Sequence, residues 1–240
     1  PGKAARRSGL RPRQELPVLN AVSYSATWEA LDELAQDPNV EYITPDREVK
    51  AFFDQAIATA GGDIARSYGW DGAGIGIAII DSGISPHPDL SAEGTGKSRI
   101  VYAQNFVAGE TRADDTFGHG THVAGLAAGN GAASSGTTFL YTYRGMAPKA
   151  NLINLRVLDA NGSGADSAVI AAIAKAIELK NQFNIRIINL SLGRSVRESY
   201  TKDPLGLAVE AAVNAGILVV ASAGNNGRDN SAGTSGYATI

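Results

Sequence analysis

Short, unbroken runs of apolar residues recur along the chain, and segments with helical periodicity separate them. The runs are too short for buried helices and are rich in β-branched residues, so each predicts a strand covered on both faces of a parallel sheet. The predicted strands are residues 75–80, 151–158, 185–192 and 217–223.

Helices are predicted between these strands. One begins at Asp166 or Ser167 and has its apolar residues on one face. Another covers residues 204–215, with Pro204 suited to the first turn and Gly216 suited to the end. The alternation predicts an α/β fold, a doubly wound and mostly parallel sheet flanked by helices. Ligands of such sheets bind beyond the carboxyl ends of the strands.

The first part of the chain has a different pattern. It predicts an amphipathic helix over residues 27–36, capped by Thr27, and a short strand over residues 40–43. The basic residues 1–20 are interpreted as a tail or as what remains of a strand. The expected divisions are a small α+β unit at residues 1–50, a linker at residues 51–69 and the α/β domain at residues 70–240.

Composition narrows the range of functions. The 240 residues carry a net charge of −3 and no cysteine, which excludes disulfides and thiolate metal sites. The mild charge argues against a nucleic-acid partner. No apolar run approaches the roughly 20 residues of a membrane-spanning helix, which argues against a membrane partner.

Polar residues with catalytic potential follow the predicted strands. Asp81 comes directly after residues 75–80, and Asn225 follows residues 217–223 in a glycine-flanked loop. His119 lies where a loop joins a predicted helix of small residues. Each has an ordinary alternative, because Asp-Ser-Gly and Asn-Asn-Gly are common turns and many histidines only cap or pack a helix. Because all three would lie at one edge of the sheet, we favour a catalytic site over these ordinary roles.

A carboxylate beside an imidazole indicates a base and the group that orients it. Asp81 would accept a hydrogen bond from one ring nitrogen of His119, fix its tautomer and stabilise the imidazolium. The Asn225 amide would donate to an oxyanion, an interaction worth about 3–4 kcal/mol in acyl transfer. Each of the three residues is a weak signal by itself, but their order and sequence context argue against all three being ordinary turns and caps.

Three segments resemble motifs of the subtilisin-like serine proteases, the subtilases. Residues 78–84 resemble the aspartate motif, residues 118–125 resemble the histidine motif almost letter for letter, and residues 221–225 resemble the oxyanion-asparagine segment. The likeness runs from about Trp70 to Ile240. It implies the family's fold and a serine endopeptidase that acts on polypeptide substrates.

By this resemblance, His119 would be the general base, Asp81 its partner and Asn225 part of the oxyanion hole. An extended peptide would lie between two backbone segments and enter pockets beside them. The residues implied in substrate binding are Gly162, Ser163, Gly164, Ser191, Leu192, Gly193, Ala223 and Gly224. The chemistry itself would need no cofactor.

Residues 18–50 resemble, more loosely, the carboxyl half of the family's inhibitory propeptide. The resemblance implies a segment that assists folding, blocks the cleft as an intramolecular inhibitor and is cut between Arg47 and Ala60. It also implies secretion. Asp89 matches a calcium ligand of some relatives, which makes a structural calcium ion an expectation, although residues 129–144 do not match the usual ligand loop.

The family's nucleophilic serine is the one motif without a match. That serine lies in Gly-Thr-Ser-Met-Ala-x-Pro, whereas residues 233–235 read Gly-Thr-Ser but continue Gly-Tyr, shortly after Asn225. We interpret Ser235 as part of a surface loop and expect the nucleophile beyond residue 240. The chain would then be an inactive internal piece of a protease precursor. The alternative is a catalytically inactive relative that keeps the fold for binding.

Overall fold

The chain divides into two compact units, with the boundary between Ala51 and Phe52. The computed structural model describes residues 9–16, 21–43, 57–194, 199–224, 228–229 and 234–235. The first unit is a strand pair with one helix, and the second contains a parallel sheet with its helices.

An antiparallel strand pair and a helix make up the first unit. They are β1 (Leu10–Leu16), β2 (Ala21–Ala26) and α1 (Trp28–Ala35). The predicted helix is confirmed, and the Thr27 hydroxyl caps it by accepting a hydrogen bond from the Ala30 N–H at 3.3 Å. A small core joins the sheet to the helix through Leu10, Ala30 and Leu34.

Strands in the first unit differ from those expected. The prediction of a strand at residues 40–43 is wrong. The Val40 N–H donates to the Asp37 carbonyl at 2.9 Å, and this hydrogen bond closes a turn after the helix. The basic start of the chain does contain a strand, β1, while residues 1–8 and 17–20 lie outside the described residues. β2 is an additional strand that the apolar pattern does not indicate.

Five parallel strands form the sheet of the second unit. They are β3 (Gly76–Asp81), β4 (Ile100–Asn105), β5 (Asn151–Arg156), β6 (Ile185–Leu190) and β7 (Leu218–Ala221). Their spatial order is β4-β5-β3-β6-β7. From β3 the chain goes to the edge strand β4, returns to β5 beside β3, and then continues to β6 and β7 on the other side of β3. The doubly wound α/β prediction and its four strands are confirmed, and the edge strand β4 is additional.

A short helix, α2 (Gly62–Ser67), precedes β3. The helices that connect strands of the sheet are α3 (His119–Ala128), α4 (Asp166–Phe183) and α5 (Pro204–Asn214). The predicted helices after Asp166 and Pro204 are confirmed. The first ends where Asn184 turns left-handed at φ 47°, and the second begins where the Asp203 carboxylate accepts from the Leu205 N–H at 3.0 Å.

Two features of the second unit differ in detail from the sequence analysis. α2 lies in the segment expected to be a linker, and it stays short because Gly61 adopts φ 72° before it. Ser235 lies in a two-residue strand that pairs with residues 228–229, instead of in a loop.

Alternate side chains of β3 enter two hydrophobic cores, one on each face of the sheet. Ile77 and Ile79 pack in a cluster with α3, whereas Ala78 and Ile80 pack in a cluster with α4 and α5. Burial on both faces explains why this strand is an unbroken apolar run. Among the helices that the structure describes, none has the length and apolar character to cross a membrane.

α3 packs against the end of β3 with almost no side chain between them. A Cβ atom on Gly120 would lie only 2.2 Å from the Gly83 carbonyl oxygen and 3.1 Å from the Asp81 Cβ. Glycine at this position therefore lets the helix begin directly beside the end of the strand. The first residue of that helix is His119.

Gly120→Ala should destabilise the second unit by about 1–3 kcal/mol or more, because the added methyl group would force the helix and strand backbones apart. The matched control is Gly125→Ala in the same helix, where a Cβ meets nothing within 4 Å. This control should stabilise the helix by about 0.5–1 kcal/mol. Chemical denaturation of both variants measures the difference, and equal stabilities would contradict the close packing.

Candidate active site

Asp81 and His119 are hydrogen-bonded at the carboxyl end of β3. His119 Nδ1 lies 2.8 Å from Asp81 Oδ1 and 3.0 Å from Oδ2. The Asp81 side chain is fully buried, whereas 41% of the His119 side chain is exposed. Because an ionised carboxylate only accepts hydrogen bonds, we assign the ring proton to Nδ1. Nε2 is then the nitrogen that can take a proton from a substrate or nucleophile.

A second carboxylate, Asp115, holds the loop that leads into α3. Its Oδ1 accepts from the Ser82 hydroxyl at 2.8 Å and from the Gly118 N–H at 2.7 Å, and its Oδ2 accepts from the Thr121 N–H at 2.7 Å. Gly118 is the N-cap and has no side chain, so Asp115 supplies the oxygens that cap the helix. Desolvation acts to raise the pKa of Asp115, but the hydrogen bonds that it accepts lower the pKa overall.

A buried arginine fastens the same loop to the sheet. Arg156 ends β5, pairs in register with Asp81, and has a side chain that is only 1% exposed. Its guanidinium donates to the Arg112 carbonyl at 3.0 Å and to the Thr116 hydroxyl at 3.3 Å, and it pairs with Glu110 at 2.7 Å. These partners compensate the desolvation of the buried charge.

An open cleft of about 420 Å³ begins at His119. Both segments predicted to bind substrate, residues 162–164 and 191–193, line this cleft together with His119. The apolar side chains of Val169 and Leu205 line it as well. The structure thus brings the predicted base and the two backbone segments to one place.

The turn that carries residues 162–164 has a defined shape. Asp159 Oδ1 accepts from the Asn161 N–H at 2.8 Å and from the Ser163 N–H at 3.0 Å. The bonds from Ser163 and Asn161 lower the pKa of Asp159. The ring of Phe117 covers Gly162 so closely that a Cβ there would lie 2.7 Å from it. The turn is therefore held next to the loop that precedes His119.

The segment after β7 contacts the other side of the cleft. The Ser222 N–H bonds to the Leu190 carbonyl, and the Ser222 hydroxyl donates to the Leu192 carbonyl, both at 3.0 Å. Ala223 and Gly224 come next, but neither is among the described residues that line the cleft. Asn225 lies outside the described residues, and its oxyanion role stays a prediction.

The surroundings of Asp89 fit a calcium ion poorly. Asp89 Oδ1 accepts from the Ala133 N–H at 2.6 Å, and the Arg99 guanidinium donates to the carbonyls of Asp89, Ala128 and Ala150 at 2.5–2.7 Å. A protein cation therefore already occupies these carbonyl oxygens. The described part of the chain contains no group of three or more His, Cys, Asp or Glu residues that could hold a metal ion. Calcium at Asp89 is untested, and the contacts of Asp89 and Arg99 argue against it.

Sequence reasoning missed two charged residues of this site. Asp115 has a signal, because an acidic residue shortly before a helix start is typical of capping. Arg156 also has one, because a charge inside the apolar run of residues 151–158 needs a buried partner. Neither signal reveals that both residues hold the loop in front of His119.

Comparison with known proteins agrees with this geometry. Residues 72–239 match the model of the family described as the Subtilase family. That range includes both members of the hydrogen-bonded pair and both segments of the cleft.

Similar proteins also align over most of the chain. The "Serine protease AprX" of Bacillus subtilis (strain 168) is 38% identical over 236 residues, which cover 93% of this chain and 50% of that protein. The "Thermostable alkaline protease" of Halalkalibacterium halodurans is 38% identical over 217 residues, 90% of this chain and 53% of that protein. "Subtilisin E" of Bacillus subtilis (strain 168) is 35% identical over 234 residues, 95% of this chain and 55% of that protein. The chain spans about half the length of these relatives.

Chelation tests the calcium expectation directly. Because Arg99 already satisfies the carbonyl oxygens near Asp89, we expect EDTA to leave the thermal midpoint unchanged. Arg99→Met should lower the stability by about 3 kcal/mol or more, since several buried carbonyls lose their donor. Arg186→Met, at an exposed position of β6, is the control and should have little effect. A midpoint that falls on chelation would show instead that a metal ion stabilises the fold.

Proposed function

This chain belongs to the subtilase family, and from that premise we propose that the protein containing it is a serine endopeptidase. One observation carries the proposal: a buried carboxylate orients a half-exposed imidazole at 2.8 Å, at the mouth of a cleft lined by two backbone segments. The similarity to proteins whose names describe them as proteases supports the same activity.

In the proposed mechanism, His119 Nε2 takes the proton of a serine hydroxyl as that hydroxyl attacks a peptide carbonyl. Asp81 keeps Nδ1 protonated and stabilises the imidazolium that forms. The same imidazolium then gives the proton to the leaving amine, and water repeats the sequence to release the acid. We expect the serine in sequence beyond residue 240.

Substrate binding would use backbone more than side chains. An extended peptide lying between residues 162–164 and 191–193 would add a strand to these segments through main-chain hydrogen bonds. The Asn225 amide and a backbone N–H would hold the oxyanion. Such recognition tolerates many sequences, and the family resemblance implies that pockets near Leu192 and Ala223 set the selectivity. Of these two residues Leu192 lines the described cleft, and Val169 lines it as well.

A catalytically inactive relative is the second candidate. The same carboxylate and imidazole would persist in a protein that lacks the serine and uses the cleft only for binding. Labelling the full-length protein with a fluorophosphonate probe separates the two, because only an activated serine reacts with it. The proposed enzyme should be labelled, and the inactive relative should not.

His119→Ala in the full-length protein should reduce kcat by about 10⁶-fold, and Asp81→Asn by about 10⁴-fold, because the first removes the base and the second leaves it in the wrong tautomer. His122→Ala is the matched control, because His122 is exposed on the same helix. It should leave kcat nearly unchanged. Cleavage of a fluorogenic peptide measures all three, and unchanged cleavage by His119→Ala would contradict the mechanism.

We propose that the first unit is an inhibitory propeptide. From the resemblance to the subtilase family, we also propose that the protein is secreted. The first proposal rests on the resemblance of residues 18–50 and on the compact fold of β1, β2 and α1. Cleavage between Arg47 and Ala60 would separate this unit from the enzyme.

A peptide of residues 1–50, added to the mature enzyme, should therefore inhibit cleavage. The control is a peptide of residues 1–43, which keeps the helix and both strands but lacks the tail that would enter the cleft. We expect it to inhibit at least 10-fold more weakly, a loss of about 1.4 kcal/mol in binding. Steady-state inhibition measures both, and equal inhibition by the two peptides would argue against a tail in the cleft.

A further inference from the structure

We propose that Asp115 is a positioning residue that fixes the distance between Asp81 and His119. The inference rests on the proposed function, because it concerns how the catalytic base is held. It starts from the hydrogen bonds that the Asp115 carboxylate accepts, which reach the chain on both sides of the catalytic pair.

One set of bonds holds the histidine side. Asp115 Oδ1 accepts from the Gly118 N–H and Oδ2 accepts from the Thr121 N–H, both at 2.7 Å. These residues precede and follow His119, so the carboxylate fixes the turn from which the imidazole projects. Gly118 adopts φ 96°, and glycine takes up positive φ about as readily as negative φ. Because glycine does not itself fix this conformation, the hydrogen bond from the Gly118 N–H to Asp115 helps to hold the turn.

A second set of bonds holds the aspartate side. Asp115 Oδ1 accepts from the Ser82 hydroxyl at 2.8 Å, and the Ser82 oxygen in turn accepts from the Gly120 N–H at 2.9 Å. Ser82 is the residue directly after Asp81. The same carboxylate thus links the end of the strand that carries the acid to the helix that carries the base.

The carboxylate of Asp115 has the hydrogen-bonding properties that a positioning residue needs. An ionised carboxylate offers only acceptors, and every partner described above is a donor. The bonds lower the pKa of Asp115 in spite of its partial burial, which keeps the group ionised at neutral pH. Asparagine would keep one oxygen but turn an NH₂ group toward the Thr121 N–H, so two donors would face each other. Alanine would remove all the acceptors.

The test compares Asp115→Asn and Asp115→Ala in the full-length protein. We expect kcat to fall about 10-fold for the first and about 100-fold for the second, with KM nearly unchanged, because a misplaced base slows chemistry without removing substrate contacts. Asp114→Asn is the matched control: it removes the same charge one position earlier, from a carboxylate that pairs with Arg112. It should leave kcat and KM close to those of the unmutated protein.

A spectroscopic readout separates positioning from a merely structural role. The Nδ1 proton of His119 is bonded to Asp81 and should give a downfield ¹⁵N–¹H signal. The spectrum is recorded at a temperature well below the thermal midpoint, where the protein is folded. The 240 residues contain three histidines, and loss of the signal in His119→Ala assigns it. The signal should move upfield or broaden in both Asp115 variants and persist in Asp114→Asn. An unchanged signal and an unchanged kcat in folded Asp115→Asn would overturn the inference.

A double-mutant cycle tests the route through the serine. Ser82→Ala breaks the link to Gly120, so its effect on kcat and that of Asp115→Ala should be strongly non-additive. Additive effects would show that Asp115 does not act through Ser82 and would overturn that part. Absence of cleavage by the unmutated protein would count against the proposed function alone, since the nuclear magnetic resonance signal still decides the role of Asp115.

Discussion

The contact between the start of α3 and the end of β3 is the constraint on which the site depends. At Gly120 the helix lies so close to the Gly83 carbonyl that no Cβ fits, and at Gly83 a Cβ would lie 2.5 Å from the Ala113 carbonyl. These two glycines let three backbone segments converge. The close backbone packing therefore brings the side chains of Asp81 and His119 within hydrogen-bonding reach of each other.

Charges around this contact are buried only where they are bonded. Asp81 and Arg156 end neighbouring strands in register, and each is almost completely buried. Asp81 accepts from the Ser82 N–H and from the imidazole, while Arg156 reaches three partners in the preceding loop. A buried charge that lost its partners would be strongly destabilising. The pairing therefore selects one arrangement of loop and sheet.

Sequence patterns predict the parts of this fold that are buried on both sides. The run at residues 75–80 is a central strand whose two faces are both covered by helices, so every position is apolar and the pattern is easily recognised. β4 lies at the sheet edge with alternating exposure. Its polar residues Gln104 and Asn105 interrupt the apolar run, so the sequence pattern does not predict this strand. Val40 has an apolar side chain that packs on the first unit's core, yet its backbone forms a turn. An apolar run in the sequence therefore indicates that the segment is buried. It indicates a strand only where another strand lies beside it to pair with.

Residues that follow a buried strand can also be located from the sequence, whereas the hydrogen bonds that hold them in place cannot. Asp81 and His119 could be placed together because Asp81 ends a parallel strand and His119 begins a helix predicted to pack on the same sheet. Asp115 bonds to Ser82, which lies 33 residues earlier in the chain, and no local pattern encodes such a contact. The distinction is physical: the sheet brings the reacting groups near each other, and non-local hydrogen bonds in the loop set the final distance. A residue that never touches substrate can therefore govern the rate through the placement of one that does.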